Sequence, residues 1–163
     1  MRKIAFPPIV DSNSQILLLG TMPSEESLRK QEYYGHKSNQ FWKILFTLFA
    51  QPFSIDYKER VALLIENRIA LWDVLCSCEG QGSADTSIKN GQPNNFTLFF
   101  SSYPHITHVF FTSKKAEEFY RKHIGFDNNK VYLTLPSPSP ANAGTPLIQK
   151  IEKWKVIFSV LKS

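Results

Sequence analysis

Three short stretches of this 163-residue chain set polar side chains among glycines, prolines and aromatic rings, the mixture from which binding and catalytic turns are made. The first is "GHKSNQFWK", residues 35–43, in which Asn39 has two readings. A neutral amide takes up no proton near pH 7, so Asn39 is no general base. Its oxygen can, however, accept a hydrogen bond from water and hold that water in place. The same side chain near a helix start can instead bond the free backbone N–H groups found there. In "GTMPS", residues 20–24, Gly20 permits an unusual backbone angle, Pro23 stiffens the turn and Ser24 adds a hydroxyl, which suits a ligand loop or a purely structural one. "LPSPSPANA", residues 135–143, is either a polyproline-like segment or a rigid loop that presents Ser137, Ser139 and backbone N–H groups to phosphates. The four histidines, at 36, 105, 108 and 123, lack metal-ligand spacing, so no metal site is expected.

Chemistry at these positions needs elements to hold them. "QILLLG" (15–20) is a continuous apolar run ending in Gly, the pattern of a buried strand that feeds a tight turn. "SNQFWKILFTLFA" follows as a helix, with Phe41, Ile44, Leu45 and Leu48 on one face and Ser38 as its expected cap. "DYKERVALLIENR" opens on Asp56 with Glu59 three residues later, a capping-box start for a second helix. "IALWDV" (69–74), "HVFFT" (108–112) and "VYLTL" (131–135) read as strands. Residues 79–95 read as a loop, "FTLFFSSY" and "SKKAEEFYRKH" as helices, and "PLIQKIEKWKVIFSVLKS" as one C-terminal helix with proline near its start. Strands alternating with helices predict an α/β fold: a single three-layer αβα domain over residues 1–163 with a central, mainly parallel four-stranded sheet. Ligands of such sheets bind at the carboxyl ends of the strands. The candidate site is therefore Gly20 to Ser24 after the first strand, Asp73 at the end of the second, Thr112, Ser113 and Lys114 after the third, and the Ser-Pro stretch after the fourth.

Composition narrows the class. The hydrophobic fraction of 42% and charged fraction of 20% are those of a globular protein, and 19 Lys and Arg against 14 Asp and Glu leave a net charge of +5. That tilt suits a polyanion such as nucleic acid. Pro7 and Pro8 break the N-terminal apolar stretch, and no run approaches the roughly 18 apolar residues that a membrane span needs. Cys76 and Cys78 are too few for a structural zinc site and too close for a framework disulfide, which points to a reducing, cytoplasmic address.

Taken together, in this order and on these elements, the motifs resemble those of the uracil-DNA glycosylase superfamily over nearly the whole chain. "LLLGTMPS" looks like its first motif and "LPSPSPANA" like its second, the loop that pinches the DNA backbone. "GHKSNQFWK" is similar to the His-x-x-Asn-x-Phe-Trp stretch of mismatch-specific members. Met22 stands where those members carry a catalytic Asn and the most active uracil enzymes an Asp. "LPSPSP" also lacks the leading histidine of the uracil-specific enzymes. The pattern looks most like the hypoxanthine-DNA glycosylase branch, whose catalytic asparagine comes from the helix; carried over, that residue is Asn39.

The resemblance implies a monofunctional glycosylase that flips a deaminated base out of DNA and hydrolyses its glycosidic bond, without a cofactor or an obligate protein partner. It places Gly20, Pro23, Ser24, Ser137, Pro138, Ser139 and Lys114 along the DNA backbone, Phe41 as the ring stacked on the base, and Asp73 and Met22 in the base pocket. Ordinary core packing also accounts for Phe41, and a turn cap or a pairing with Arg68 also accounts for Asp73. An enzyme for uracil or thymine mismatches, or an inactive damage-binding protein on the same fold, remains open at this stage.

Overall fold

The computed structural model describes residues 2–80 and 88–161. Along the chain run β1 (Arg2–Ile4), β2 (Ile16–Gly20), α1 (Glu25–Lys30), α2 (Phe41–Leu48), α3 (Tyr57–Glu66), β3 (Ile69–Asp73), β4 (Leu75–Glu79) and β5 (Lys89–Pro93). There follow α4 (Phe96–Ser102), β6 (His108–Phe111), α5 (Lys114–His123), β7 (Val131–Thr134), a 3-10 turn at Pro140–Asn142, α6 (Leu147–Trp154) and α7 (Val156–Leu161).

The central sheet has the order β3-β2-β6-β7, and every pairing in it is parallel. β2 and β3 are buried at all five positions, which explains their unbroken apolar sequences: a parallel sheet covered on both faces has no solvent side to encode. Successive side chains point to opposite faces. Ile16 and Leu18 therefore join one cluster with Phe41, Ile44 and Leu45 of α2, Leu64 of α3, Trp154 of α6 and Ile157 of α7. Leu17 and Leu19 join the other cluster, with Phe96 and Phe99 of α4 and Ala116 and Tyr120 of α5. The three αβα layers and the four-stranded parallel sheet are as predicted.

Four features differ from the sequence expectation. Residues 79–95 are not simply a loop: β5 lies there and pairs antiparallel with β4, which pairs with β1 in a second, three-stranded sheet. Residues 81–87 of that stretch lie outside the described residues. A short helix, α1, follows the first motif, with Ser24 accepting a hydrogen bond from the N–H of Ser27 at its start. α2 begins at Phe41, and Ser38 does not cap it; the N–H of Ser38 donates instead to Nδ1 of His36. The C-terminal segment is two helices that break at Lys155. Asp56 does cap α3, accepting from the N–H of Lys58. No helix among the described residues is long and apolar enough to cross a membrane.

Candidate active site

The parallel register aligns Gly20 at the end of β2 with Asp73 at the end of β3. Hydrogen bonds carry the pairing one step further, from Val74 N–H to the Gly20 carbonyl at 2.8 Å and from Leu75 N–H to the Thr21 carbonyl at 3.2 Å. Asn94 fixes the same corner, its side-chain amide donating to the Asp73 carbonyl at 2.8 Å. The Asp73 side chain thus leaves a pinned backbone, only 4% exposed. Gly20 is required here for space: a Cβ would lie 2.7 Å from Asp73 Oδ1, 2.8 Å from the Tyr34 hydroxyl and 3.5 Å from Thr112 Oγ1. Three oxygens from three segments converge over that glycine. The Tyr34 and Thr112 hydroxyls are hydrogen-bonded at 2.9 Å. Burial, and next the charge of Asp73, hold the neighbouring Tyr33 phenol far above its usual pKa.

The segment between α1 and α2 forms one wall. Its start is tied down by Ser27, whose hydroxyl accepts from the Gly35 N–H at 2.9 Å. Trp42 Nε1 donates to the Tyr33 carbonyl at 2.8 Å, and Tyr34 takes a positive φ of 52°. That backbone turn lays the Tyr34 ring flat on Phe41, with centroids 3.9 Å apart and planes 11° from parallel. Asn39 follows. Its N–H donates to the His36 carbonyl at 3.0 Å, and its Oδ1 accepts from the Phe41 N–H at 2.9 Å. The helix-end reading of Asn39 is therefore correct for one lone pair of its oxygen, and a carbonyl oxygen has two.

The Ser-Pro loop forms the opposite wall through local bonds. Ser137 Oγ accepts from the Ser139 N–H and Ser139 Oγ from the Ala141 N–H, each at 3.1 Å. Asn142 returns to the Ser137 carbonyl at 3.0 Å. The Pro138 carbonyl accepts from the Gln40 N–H at 2.9 Å, and the Pro136 carbonyl from Trp154 Nε1 at 2.9 Å. A loop bonded this often is a fixed surface and not a linker.

Between the walls lies a cleft of about 600 Å³. Gly20, Met22, Ser24, Asn39, Asp73, Ser137, Pro138 and Ser139 all border it, as do Thr21, Tyr34, His36, Thr112 and Ser113. Among the described residues, Asp73 is the one formally charged residue lining it. Pro23 and Lys114 are not among the residues lining the cleft: Pro23 is half-buried within its turn, and Lys114 is exposed just past Ser113. Two sequence readings need correction. Phe41 is fully buried and lies behind Tyr34, so the ring bordering the cleft is Tyr34's. A pairing of Asp73 with Arg68 does not form, because the residues sit at opposite ends of β3, roughly 16 Å apart at a strand's rise. The Arg68 guanidinium donates instead to the Leu161 carbonyl at 2.8 Å. Tyr34 and Thr21 were not singled out from sequence. The "YYG" preceding the histidine was the available signal for Tyr34, an aromatic pair at a turn glycine.

Comparison with known proteins agrees with this fold. The profile described as Uracil DNA glycosylase superfamily matches residues 7–160. A curated relative named Hypoxanthine DNA glycosylase, from Methanosarcina barkeri, is 39% identical over 120 residues, covering 73% of this chain and 76% of its own. Another of that name, from Methanosarcina acetivorans, is 33% identical over 161 residues, covering 97% and 99%. A solution NMR structure of a candidate uracil DNA glycosylase from Methanosarcina acetivorans superposes with a TM-score of 0.83 at 32% identity, over the full length of both chains. The match from residue 7 to residue 160 leaves little of the chain outside it: this protein belongs to the uracil DNA glycosylase superfamily.

Proposed function

We propose that the protein is a monofunctional DNA N-glycosylase that removes deaminated bases from DNA, hypoxanthine foremost. The observation that carries this reading is the meeting of the Asn39 amide and the buried Asp73 carboxylate in one cleft at the strand ends. A base inside a duplex is out of reach, so the nucleotide must turn out into the cleft. Ser24, Ser137 and Ser139, with backbone N–H groups of their turns, then face the flanking phosphates, and Gly20, Pro23 and Pro138 give those turns their shape. Tyr34, backed by Phe41, offers the flat surface on which the base stacks, next to Met22.

Hypoxanthine carries a ring N–H on its pairing edge where adenine has an acceptor. The Asp73 carboxylate accepts from that N–H and repels the lone pair of adenine. Below the sugar, the second lone pair of Asn39 Oδ1 accepts a hydrogen bond from water and aims its oxygen at C1′. The C1′–N9 bond breaks as the water oxygen bonds to C1′, and the water's proton ends on the departing base. The sugar passes through a cation-like state, as in other glycoside hydrolysis, which the flanking phosphates stabilise. Positioning and electrostatics supply the rate, and no proton-accepting side chain is needed at the water. A DNA substrate and the free thiols of Cys76 and Cys78 support a reducing, cytoplasmic address.

The direct test is to incubate the protein with duplexes carrying one hypoxanthine, one uracil or one mismatched thymine and to score abasic sites by alkaline cleavage. Cleavage at hypoxanthine is expected to be fastest. Tight binding with no abasic sites on any duplex would replace the enzyme with a damage-binding protein.

A further inference from the structure

α6 carries a lysine where its buried stripe calls for an apolar residue. Lys150 lies one turn before Trp154, both on the face packed into the core, and is only 2% exposed. Burying an ammonium costs far more than burying a methionine of similar length. Packing alone therefore does not account for a lysine, and the explanation has to lie with its head group. Nζ donates to Gln40 Oε1 at 2.8 Å. Gln40 is the residue after Asn39, and the rest of it is held as well. Its N–H donates to the Pro138 carbonyl and its carbonyl accepts from the Ile44 N–H, both at 2.9 Å. Gln40 stands at the start of α2, yet its side chain caps nothing there. That side chain is turned away to the lysine, while Asn39 serves the Phe41 N–H. One turn along α6, Trp154 grips the Pro136 carbonyl and its ring meets Phe41 edge-on at 5.8 Å. The Lys150–Trp154 face of α6 thus braces the Asn39 wall and the Ser-Pro wall against each other. Burial also lowers the pKa of the Lys150 ammonium.

We propose that Lys150 is a positioning residue for base excision: acting through Gln40, it fixes Asn39 relative to the 136–141 loop, and so relative to the nucleotide whose flanking phosphates this loop faces. The inference rests on Asn39 being the residue that aims the water. Its test is single-turnover release of hypoxanthine from a labelled duplex under enzyme excess, with DNA affinity and thermal unfolding measured alongside. Lys150→Met and Gln40→Met should each slow the chemical step by about 10- to 100-fold, the scale of a small misplacement of a reacting group. Binding should stay within about threefold, because the phosphate-facing groups are unaltered. Gln40→Glu should keep most of the rate, since a carboxylate still accepts the ammonium's bond. Lys150→Met at the parental rate while Asn39→Ala is inactive would overturn the proposal. So would a Gln40→Glu loss as large as that of Gln40→Met, or a rate loss that tracks a fall in melting temperature. Parental activity in Asn39→Ala would instead remove the catalytic reading itself.

Discussion

An amide oxygen has two lone pairs, and at Asn39 one of them is committed to the Phe41 N–H. Helix support and chemistry are therefore separate loads on one side chain, and they separate on mutation. Asn39→Ala should lose base release altogether, while the missing helix-end bond costs only about 1 kcal/mol of stability and DNA affinity moves a few fold. Abasic-site formation, calorimetry and a binding titration read the three. Full excision by a clean preparation of the variant would leave Asn39 with the structural load alone. Asp73 makes a sharper test, because its two replacements differ in one capacity. Asn can still accept the ring N–H of hypoxanthine, so Asp73→Asn should keep part of the activity. Ala leaves that donor unmatched in a closed pocket, at a cost of about 1–3 kcal/mol, or roughly 5- to 150-fold in rate. Equal rates for Asp73→Ala and the parent would pass base reading to the backbone near Met22 and the Tyr34–Thr112 hydroxyl pair.

Among the elements, those the sequence discloses are the ones whose own periodicity matches their final surroundings. "QILLLG" and "IALWDV" are apolar throughout because both faces of β2 and β3 are covered. α2 repeats its apolar residues on one face because one face is buried. β5 is hidden for the opposite reason: "KNGQP" is made of residues that strands avoid, and it pairs only because β4 is already in place, with Gly91 leaving room for the Leu75 side chain. The Phe41 misassignment has the same origin. Helical spacing marks Phe41 as core, whereas the covering of its face by Tyr34 depends on a positive-φ turn that helical spacing does not report. The two rings should therefore fail differently. Tyr34→Leu removes the flat surface at the cleft and should cost about 1–3 kcal/mol of base stacking in kcat/KM with little change in melting temperature. Phe41→Leu should lower the melting temperature while excision per folded molecule is largely kept. The reverse pattern, seen by comparing thermal unfolding with single-turnover rates, would return the stacking role to Phe41.

For the whole molecule, the parallel sheet with helices on both faces carries the functional residues to one end, as strand-end turns do in open α/β sheets. That placement, and with it most of the cleft, was legible from the turns that follow the strands; Tyr34 was not, because its place over Phe41 depends on a positive-φ turn, nor was the α6 brace, which joins Lys150 to Gln40 across most of the chain. Charge is distributed differently from the cleft residues. The chain carries a net +5, yet among the described residues the only formally charged one lining the cleft is the acidic Asp73. Attraction for a polyanion must then come from cations outside the lining, of which Lys37 and Lys114 are exposed and adjoin the lining residues His36 and Ser113. Neutral hydroxyls and N–H groups fix the register of the phosphates, and the lysines supply the salt-sensitive part of the affinity. The logarithm of the association constant for a hypoxanthine duplex should therefore fall linearly with the logarithm of salt concentration, by about 0.9 for each phosphate neutralised. Lys37→Ala and Lys114→Ala should each make that slope shallower by about 1, while the rate at saturating enzyme is retained, because neither lysine borders the reacting atoms. Fluorescence anisotropy across a salt series measures the slope. A parent protein whose affinity ignores salt would mean that the net positive charge has no part in holding the duplex. A steep slope untouched by both substitutions would move the phosphate track away from this rim, to another face of the sheet.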